Sequence, residues 1–200
     1  MNIGVIASGA GTNLQALLDT VHETEARVAA VASDQADAPA LERARARDVP
    51  TRVFARSDFP DRAARDAAMA DWLAEQGVQL VVLAGYMQLL SAGFLARFPD
   101  RVVNVHPALL PAFPGIDAVA QALAYGVKVS GVTVHLVDEG VDTGPILLQE
   151  AIAVDGIADR DALHARLRPL EHRLLPEAVR LLARGAVRRD PANPRRLLIG

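Results

Sequence analysis

Residues 1–13 read MNIGVIASGAGTN, and their pattern indicates the class of fold. The apolar run Asn2–Ala7 ends at glycines, which predicts a buried strand. Thr12–Val21 follows with apolar residues spaced three and four apart, the spacing of a helix packed on a core. A strand, a glycine loop and a helix in direct succession are typical of the start of an α/β sheet.

The same alternation continues to residue 105. Short β-branched runs predict further strands, and periodic apolar residues predict the helices between them. The predicted strands are Val28–Ala32, Thr51–Phe54, Leu80–Leu83 and Arg101–Val105, and the predicted helices are Pro39–Arg47, Arg62–Gln76 and Ser91–Arg97. This order predicts an α/β fold with a doubly wound, mostly parallel Rossmann-like sheet and helices on both faces. Ligands of such sheets bind beyond the carboxyl ends of the strands.

The pattern changes after residue 105. Pro107, Pro111 and Pro114 predict a rigid loop, because proline is not tolerated inside a helix. The remaining predicted elements are a helix over Asp117–Tyr125, strands over Val129–Val137 and Pro145–Val154, and a helix over Arg160–Arg184 that is kinked or broken near Pro169 and Pro176. We expect one domain over residues 1–187. Residues 188–200 are basic and contain prolines, which predicts a mobile tail.

The composition excludes several classes of protein. Of the 200 residues, 51% are hydrophobic and 22% are charged, so long disordered segments are not expected. The net charge of −3 lacks the basic excess of a nucleic-acid binder. Since there is no cysteine, disulfides, thiolate metal sites and a cysteine nucleophile are excluded.

The sequence also predicts no membrane partner. Gln76–Ala96 is uncharged and long enough to span a bilayer, but its glutamines, glycines and serine indicate a strand, a turn and a short helix. The N-terminus lacks the basic region of an export signal. We therefore expect a cytoplasmic protein.

The loop Ser8–Asn13 is a candidate anion site. Its glycines let backbone N–H groups approach a ligand, and the N-terminus of the following helix attracts anions. The dinucleotide fingerprint is incomplete because Leu14 stands in place of its third glycine, and no lysine completes a Walker motif. A phosphate is the predicted ligand, and a tight turn without a ligand is the alternative.

Asn104 and His106 form a second candidate site at the carboxyl end of a predicted strand. Strand side chains alternate, so both residues share one face. An amide donor beside an imidazole can hold a developing oxyanion and move a proton near neutral pH. A structural histidine that donates to a loop carbonyl is the alternative.

The acidic loop Asp138–Pro145 is the third candidate. Its spacing does not match a calcium loop. Asp142 is a candidate for orienting His106 and favouring its protonated form. A solvated turn is the simpler interpretation of this loop taken alone.

The other histidines show no metal-ligand spacing and are interpreted as structural. They are His22, His135, His164 and His172. Glu171 belongs to the predicted C-terminal helix, where a solvated face is the simplest interpretation.

Four segments together resemble the folate-dependent formyltransferases. They are Ser8–Gln15, Val82–Met87, Asn104–Pro111 and Asp142–Ile146, and the resemblance extends from Met1 to about Val187. The Asn-x-His-Pro segment followed by Leu-Leu-Pro is shared by this family. The Gly-Thr-Asn opening narrows the resemblance to the members that act in purine synthesis.

This resemblance implies a reaction. The formyl group of 10-formyltetrahydrofolate, a co-substrate, would pass to the amine of glycinamide ribonucleotide without a metal. Asn104 and His106 would stabilise the tetrahedral oxyanion. Asp142 would favour protonated His106 and help relay a proton from the attacking amine to the leaving nitrogen. The implied partners are small molecules, and the oligomeric state stays open between a monomer and a weak homodimer.

The resemblance also implies binding residues. Gly11, Thr12 and Asn13 resemble the substrate-phosphate loop, Glu171 a contact of the glycinamide substrate, and Arg62 a folate contact near the glutamate tail. Met87, Gln88, Leu89 and Leu90 would line the pterin pocket together with Asn104, and Val137–Asp142, which includes Asp138, would close it. Ala108 stands where the family usually has serine and Gln88 where some members have arginine, which puts affinity in question but not the reaction.

Four other functions fit the sequence less well. A formyltetrahydrofolate hydrolase would use the same catalytic residues, but usually carries an extra N-terminal domain. Methionyl-tRNA formyltransferase needs a sizeable C-terminal domain and an RNA-binding surface. A nucleotide-binding module leaves Asn104, His106 and Asp142 unexplained. A nicotinamide oxidoreductase would place Asp34 on the ribose, but Leu14 argues against it.

Overall fold

The computed structural model describes residues 1–157 and 159–200. The chain forms two compact units, Met1–Asn104 and Val105–Gly200. Strands and helices alternate in the first unit, whereas the second unit contains two pairs of consecutive strands.

The first unit contains a parallel sheet with helices between its strands. Its elements are β1 (Asn2–Ile6), α1 (Thr12–Thr20), β2 (Arg27–Ser33), α2 (Pro39–Arg45), β3 (Thr51–Val53), a 3-10 turn (Arg56–Asp58), α3 (Arg62–Glu75), β4 (Leu80–Leu83), α4 (Ala92–Arg97) and the first residues of β5 (Val102–His106). The strand order is β3-β2-β1-β4-β5, and each neighbouring pair is parallel. The direction of strand succession therefore reverses between β1 and β4, where such sheets bind ligands beyond the carboxyl ends.

Local sequence explains these elements. The four residues of β4 are buried, as expected for a parallel strand covered on both faces. Helix α3 begins after Asp61, whose side chain accepts a hydrogen bond from Ala64 N–H at 2.8 Å. Helix α4 begins in the same way after Ser91, which accepts from Phe94 N–H at 3.3 Å. Such caps satisfy backbone donors that the helix leaves open.

The second unit combines antiparallel and parallel pairing. Its elements are α5 (Ala118–Tyr125), β6 (Val129–Leu136), β7 (Ile146–Ala153), α6 (Arg160–Ala183), β8 (Val187–Asp190) and β9 (Asn193–Ile199). The strand order is β6-β7-β9-β8, with β6 antiparallel to β7 and β8 antiparallel to β9. Helix α6 packs on β6, β7 and α5.

The predicted α/β fold with a mostly parallel sheet is confirmed, and the ends of the predicted elements differ from the observed ones by at most two residues. Of the two predicted alternatives for the C-terminal helix, the break is wrong and the kink stays a prediction. Helix α6 is continuous and contains both Pro169 and Pro176, and its buried leucines and valine hold it on the sheet. Residues 187–199 form a hairpin. The single-domain boundary and the mobility of the tail stay predictions.

Candidate active site

Two buried histidines and a half-buried aspartate meet in the second unit. The Asp142 carboxylate lies between two imidazole rings, with Oδ2 3.3 Å from His106 Nδ1 and Oδ1 3.4 Å from His135 Nε2. His106 is 5% exposed and His135 is 1% exposed. Because water is largely excluded, the charges and hydrogen bonds of this group act more strongly than on the surface.

The backbone of the acidic loop brings Asp142 to this position. Asp142 has a φ of +53°, and the N–H of Gly115 donates to its Oδ2 at 2.8 Å. Gly144 lies against the end of β6, where a Cβ would be 1.8 Å from the carbonyl oxygen of Leu136. The loop can therefore turn back at this point only with glycine.

Both ring nitrogens of each histidine lie close to an oxygen atom of another group. His106 Nε2 lies 2.8 Å from the carbonyl oxygen of Phe113, and His135 Nδ1 lies 2.8 Å from that of Leu136. The other nitrogen of each ring faces Asp142. A ring nitrogen satisfies an oxygen acceptor only when it carries a proton. A doubly protonated ring at either position would therefore find an oxygen acceptor at both of its nitrogens.

The surroundings of Asp142 favour its ionised form. Burial by itself raises the pKa of the Asp142 carboxyl. Hydrogen bonds from His135 and from the Gly115 N–H, together with the charges of the two histidines, outweigh burial and hold this pKa below its ordinary value. A carboxylate of this kind can stabilise an imidazolium, which in turn can donate a hydrogen bond to a developing oxyanion.

Asn104 and His106 belong to the same strand. His106 is the last residue of β5 and Asn104 lies two positions earlier, so strand alternation gives both side chains the same face. Asn104 is half-buried and is the last residue of the first unit. The structure places His106 beside Asp142, and the catalytic roles of the three residues stay predictions.

Sequence reasoning missed His135. Its position at the end of β6, directly before the acidic loop, was the available signal, because functional groups gather at such strand ends. The structural interpretation fits His22, whose Nδ1 accepts the N–H of Val28 at 3.1 Å. Burial lowers the pKa of His172.

The predicted phosphate loop forms a turn into the N-terminus of α1. Gly11 precedes the helix with a φ of +69°, and a Cβ there would lie 2.7 Å from Ala40 Cα. Gly9 accepts the Ala40 N–H at 3.1 Å. Thr12 is half-buried and Asn13 is buried. The loop lies at the carboxyl end of β1, beside the reversal of strand order.

The predicted folate residues of the first unit lie on its surface. Met87 is 64% and Leu89 51% exposed, Gln88 is exposed, and Leu90 is half-buried. Arg62 is exposed at the first residue of α3. Apolar side chains exposed to this extent on a loop are available for a ligand.

Two further predicted residues lie in the second unit. Asp138 Oδ1 accepts the N–H of Gly140 at 3.1 Å and the hydroxyl of Thr143 at 2.6 Å, which closes the acidic loop. Glu171 is 5% exposed on α6, with Oε1 4.0 Å from His164 Nε2. The solvated helix face expected at Glu171 is therefore wrong.

Residues 1–157 and 159–200 contain neither a candidate metal cluster nor a candidate membrane-spanning helix. No group of three or more histidine, cysteine, aspartate or glutamate side chains there could hold a metal ion. None of the helices in this described part of the chain is long and apolar enough to cross a membrane.

Comparison with known proteins identifies the class. The family model described as formyl transferase matches residues 1–179, which include the glycine loop, His106, Asp142 and His135. The chain belongs to the formyl transferase family.

Its relatives within this family are more specific. Phosphoribosylglycinamide formyltransferase of Bacillus subtilis is 41% identical over 180 residues, which is 89% of this chain and 92% of that protein. The protein of the same name from Mycobacterium tuberculosis is 49% identical, over 90% of this chain and 83% of its own length. The crystal structure of glycinamide ribonucleotide transformylase 1 from Symbiobacterium toebii has a TM-score of 0.95 and 49% identity, and covers 100% of this chain and 93% of that chain.

Proposed function

We propose that this chain transfers the formyl group of 10-formyltetrahydrofolate to the amine of glycinamide ribonucleotide, in de novo purine synthesis. The products are formylglycinamide ribonucleotide and tetrahydrofolate. The observation that carries the proposal is the buried His106 with Nδ1 3.3 Å from Asp142 Oδ2. The names of the relatives support the same substrate and a folate-derived formyl donor.

The reaction proceeds by addition and elimination. The amine nitrogen forms a bond to the formyl carbon, and the carbonyl oxygen becomes a tetrahedral oxyanion. Asn104 and protonated His106 stabilise this oxyanion by donating hydrogen bonds. The bond from carbon to the folate nitrogen then breaks, and a proton from the attacking amine reaches the leaving nitrogen with the help of Asp142. The reaction requires no oxidant, no reductant and no covalent intermediate with the enzyme.

Binding is assigned to the remaining residues. Backbone donors at Gly11, with Thr12 and Asn13, hold the ribonucleotide phosphate, because the N-terminus of α1 favours an anion. Glu171 holds the glycinamide group. Arg62, Met87, Gln88, Leu89 and Leu90, with Asn104 and Asp138, hold the folate. The proposal is of a cytoplasmic enzyme with small-molecule partners alone, as a monomer or a weak homodimer.

The release of tetrahydrofolate tests this function. Absorbance of the folate is followed after mixing the protein with 10-formyltetrahydrofolate, with and without glycinamide ribonucleotide. Release that depends on the ribonucleotide is the expected result. Equal release without it indicates a hydrolase instead, and no release by the folded protein rules out both activities.

A further inference from the structure

Ser8 joins the glycine loop Ser8–Asn13 to a second loop of the first unit, residues 84–91. Its N–H donates to the carbonyl oxygen of Gly85 at 3.2 Å. Its Oγ accepts the N–H of Met87, also at 3.2 Å. Two hydrogen bonds of opposite direction therefore connect one residue of the candidate phosphate loop with the backbone of the candidate folate loop.

The glycine loop is held from its other side by α2. Gly9 accepts the N–H of Ala40 at 3.1 Å, and Gly11 lies so close that a Cβ would be 2.7 Å from Ala40 Cα. A ligand bound in this loop cannot displace it toward α2. Any movement of the loop backbone that the ligand causes or restrains therefore reaches Ser8.

The far end of the 84–91 loop has a fixed anchor. The N–H of Ser91 donates to Asp66 Oδ2 at 2.7 Å. Asp66 is 0% exposed, and its Oδ1 accepts two hydrogen bonds from Arg65, at 2.9 and 3.1 Å. Hydrogen bonds to charged groups are stronger than neutral ones, so this end is rigid compared with the Ser8 end.

Within this segment Tyr86 has a buried hydroxyl, and the residues on either side of it are lightly packed. Gly85 has a φ of +74° and no atom within 4 Å of the position of a Cβ. Met87 and Leu89 are mostly exposed. Lightly packed residues take their position from their hydrogen bonds, and Gly85 and Met87 make theirs with Ser8.

We propose that Ser8 is a positioning residue that couples the binding of the two substrates, an inference that rests on the proposed function. A phosphate in the glycine loop restrains Ser8, and Ser8 fixes the Met87 N–H and with it the loop that receives the folate. Binding coupling is reciprocal, so folate also improves binding of the ribonucleotide. The dissociation constant of one substrate should change about fivefold when the other is bound, which corresponds to the free energy of one neutral hydrogen bond.

Calorimetric titration with tetrahydrofolate, which carries no formyl group to transfer, measures this coupling. Its dissociation constant is determined without and with saturating glycinamide ribonucleotide, and the ratio of the two constants is the coupling factor. We expect a factor of about five in the wild type and a factor near one in Ser8→Ala. Ser8→Thr keeps the hydroxyl and should restore the factor. In Ser8→Ala the KM for 10-formyltetrahydrofolate should rise while kcat is retained. A general loss of stability would not change KM and kcat in this way.

Two variants serve as matched comparisons. Ser91→Ala removes a hydroxyl at the opposite end of the same loop but keeps the backbone bond to Asp66, so its coupling factor should equal that of the wild type. Ser8→Cys keeps the size of the side chain but offers a weak sulfur acceptor, so it should lose the coupling as Ser8→Ala does.

The outcomes separate this inference from the proposed function. If the wild-type protein transfers the formyl group but its coupling factor is one, the role of Ser8 is wrong and the proposed function stands. The same holds if Ser8→Ala retains the coupling factor of the wild type. A folded wild type that neither binds the ribonucleotide nor releases tetrahydrofolate overturns the proposed function and this inference with it.

Discussion

In the proposed chemistry the Nε2–H of His106 is one of the two donors to the oxyanion. In this structure it faces the carbonyl oxygen of Phe113 at 2.8 Å. To stabilise the oxyanion it must exchange this neutral acceptor for a charged one. Charge-assisted hydrogen bonds are roughly twice as strong as neutral ones. His106 therefore binds the transition state better than the substrate carbonyl, which is the condition for catalysis.

His106→Ala should lower kcat by about 100–1,000-fold, the usual cost of one oxyanion donor. Binding of the ribonucleotide phosphate should persist, because the glycine loop is unchanged. Steady-state rates and calorimetric binding of the ribonucleotide check the two statements. Wild-type turnover by a preparation free of contaminating enzyme would remove the role given to His106.

Asp142→Asn should lower the transfer rate and shift the NMR titration of His106 to lower pH. The amide carries no charge, so the protonated imidazole loses the carboxylate now 3.3 Å from its Nδ1. Asp117→Asn is a suitable control, because it removes an exposed carboxylate of the same unit that pairs with Arg160. If the His106 titration is the same in Asp142→Asn and in the wild type, the electrostatic role of Asp142 is wrong.

At the scale of elements, the turn from β1 into α1 depends on the absence of one side chain. Gly11 combines a φ of +69° with a Cβ position 2.7 Å from both Cα and Cβ of Ala40. The backbone of α2 cannot move out of the way as the end of a flexible side chain could. The glycine loop is therefore formed by two adjacent elements and not by its own sequence alone.

Gly11→Ala should destabilise the protein by about 1–3 kcal/mol, from the left-handed backbone and the contact with Ala40. Gly9→Ala is the matched control, because no atom lies within 4 Å of its Cβ position. It should change the free energy of unfolding by less than about 0.5 kcal/mol. Urea denaturation of both variants measures the difference, and equal values would refute the steric argument.

At this scale the sequence was a good guide where the signal was local. The strand β4 is a continuous apolar run and was predicted with its observed ends. For helix α6 the sequence indicated a kink or a break, because two prolines are unfavourable in a helix. Burial of one face, including Leu167, Leu174 and Leu175, outweighs that preference. The hairpin of residues 187–199 was not predicted, since its strands bury little apolar surface and β9 pairs with β7 through the backbone.

At the scale of the whole molecule, titratable groups that the fold partly buries link stability to pH. Burial lowers the pKa of His172, with Glu171 opposing and Arg168 adding to this effect. Among the described residues, His172 Nε2 has no hydrogen-bond partner. Such a histidine stabilises the folded state when its side chain is neutral.

Lowering the pH from 7.5 to 5.5 should destabilise the wild type more than His172→Gln. The folded pKa of His172 is lowered, so the unfolded chain binds its proton first, at about pH 6.5. The contribution to stability is therefore complete above that value and is lost as pH falls from it toward the folded pKa. Denaturation at the two pH values checks this, and equal losses in both proteins would exclude His172 as a cause.

The succession of strands and helices, the glycine loop at the end of β1, and the position of Asn104 and His106 on one strand can all be predicted from the sequence. These follow from periodicity and from residue preferences over a few neighbouring positions, which the chain carries locally. Only the tertiary structure decided that Asp142 is shared between His106 and His135, because that contact needs the acidic loop to turn back at Gly144 against β6. It likewise decided the link from Ser8 to Met87, which joins residues that are far apart in the chain. Contacts of this kind depend on which strands become neighbours, and no local pattern specifies that.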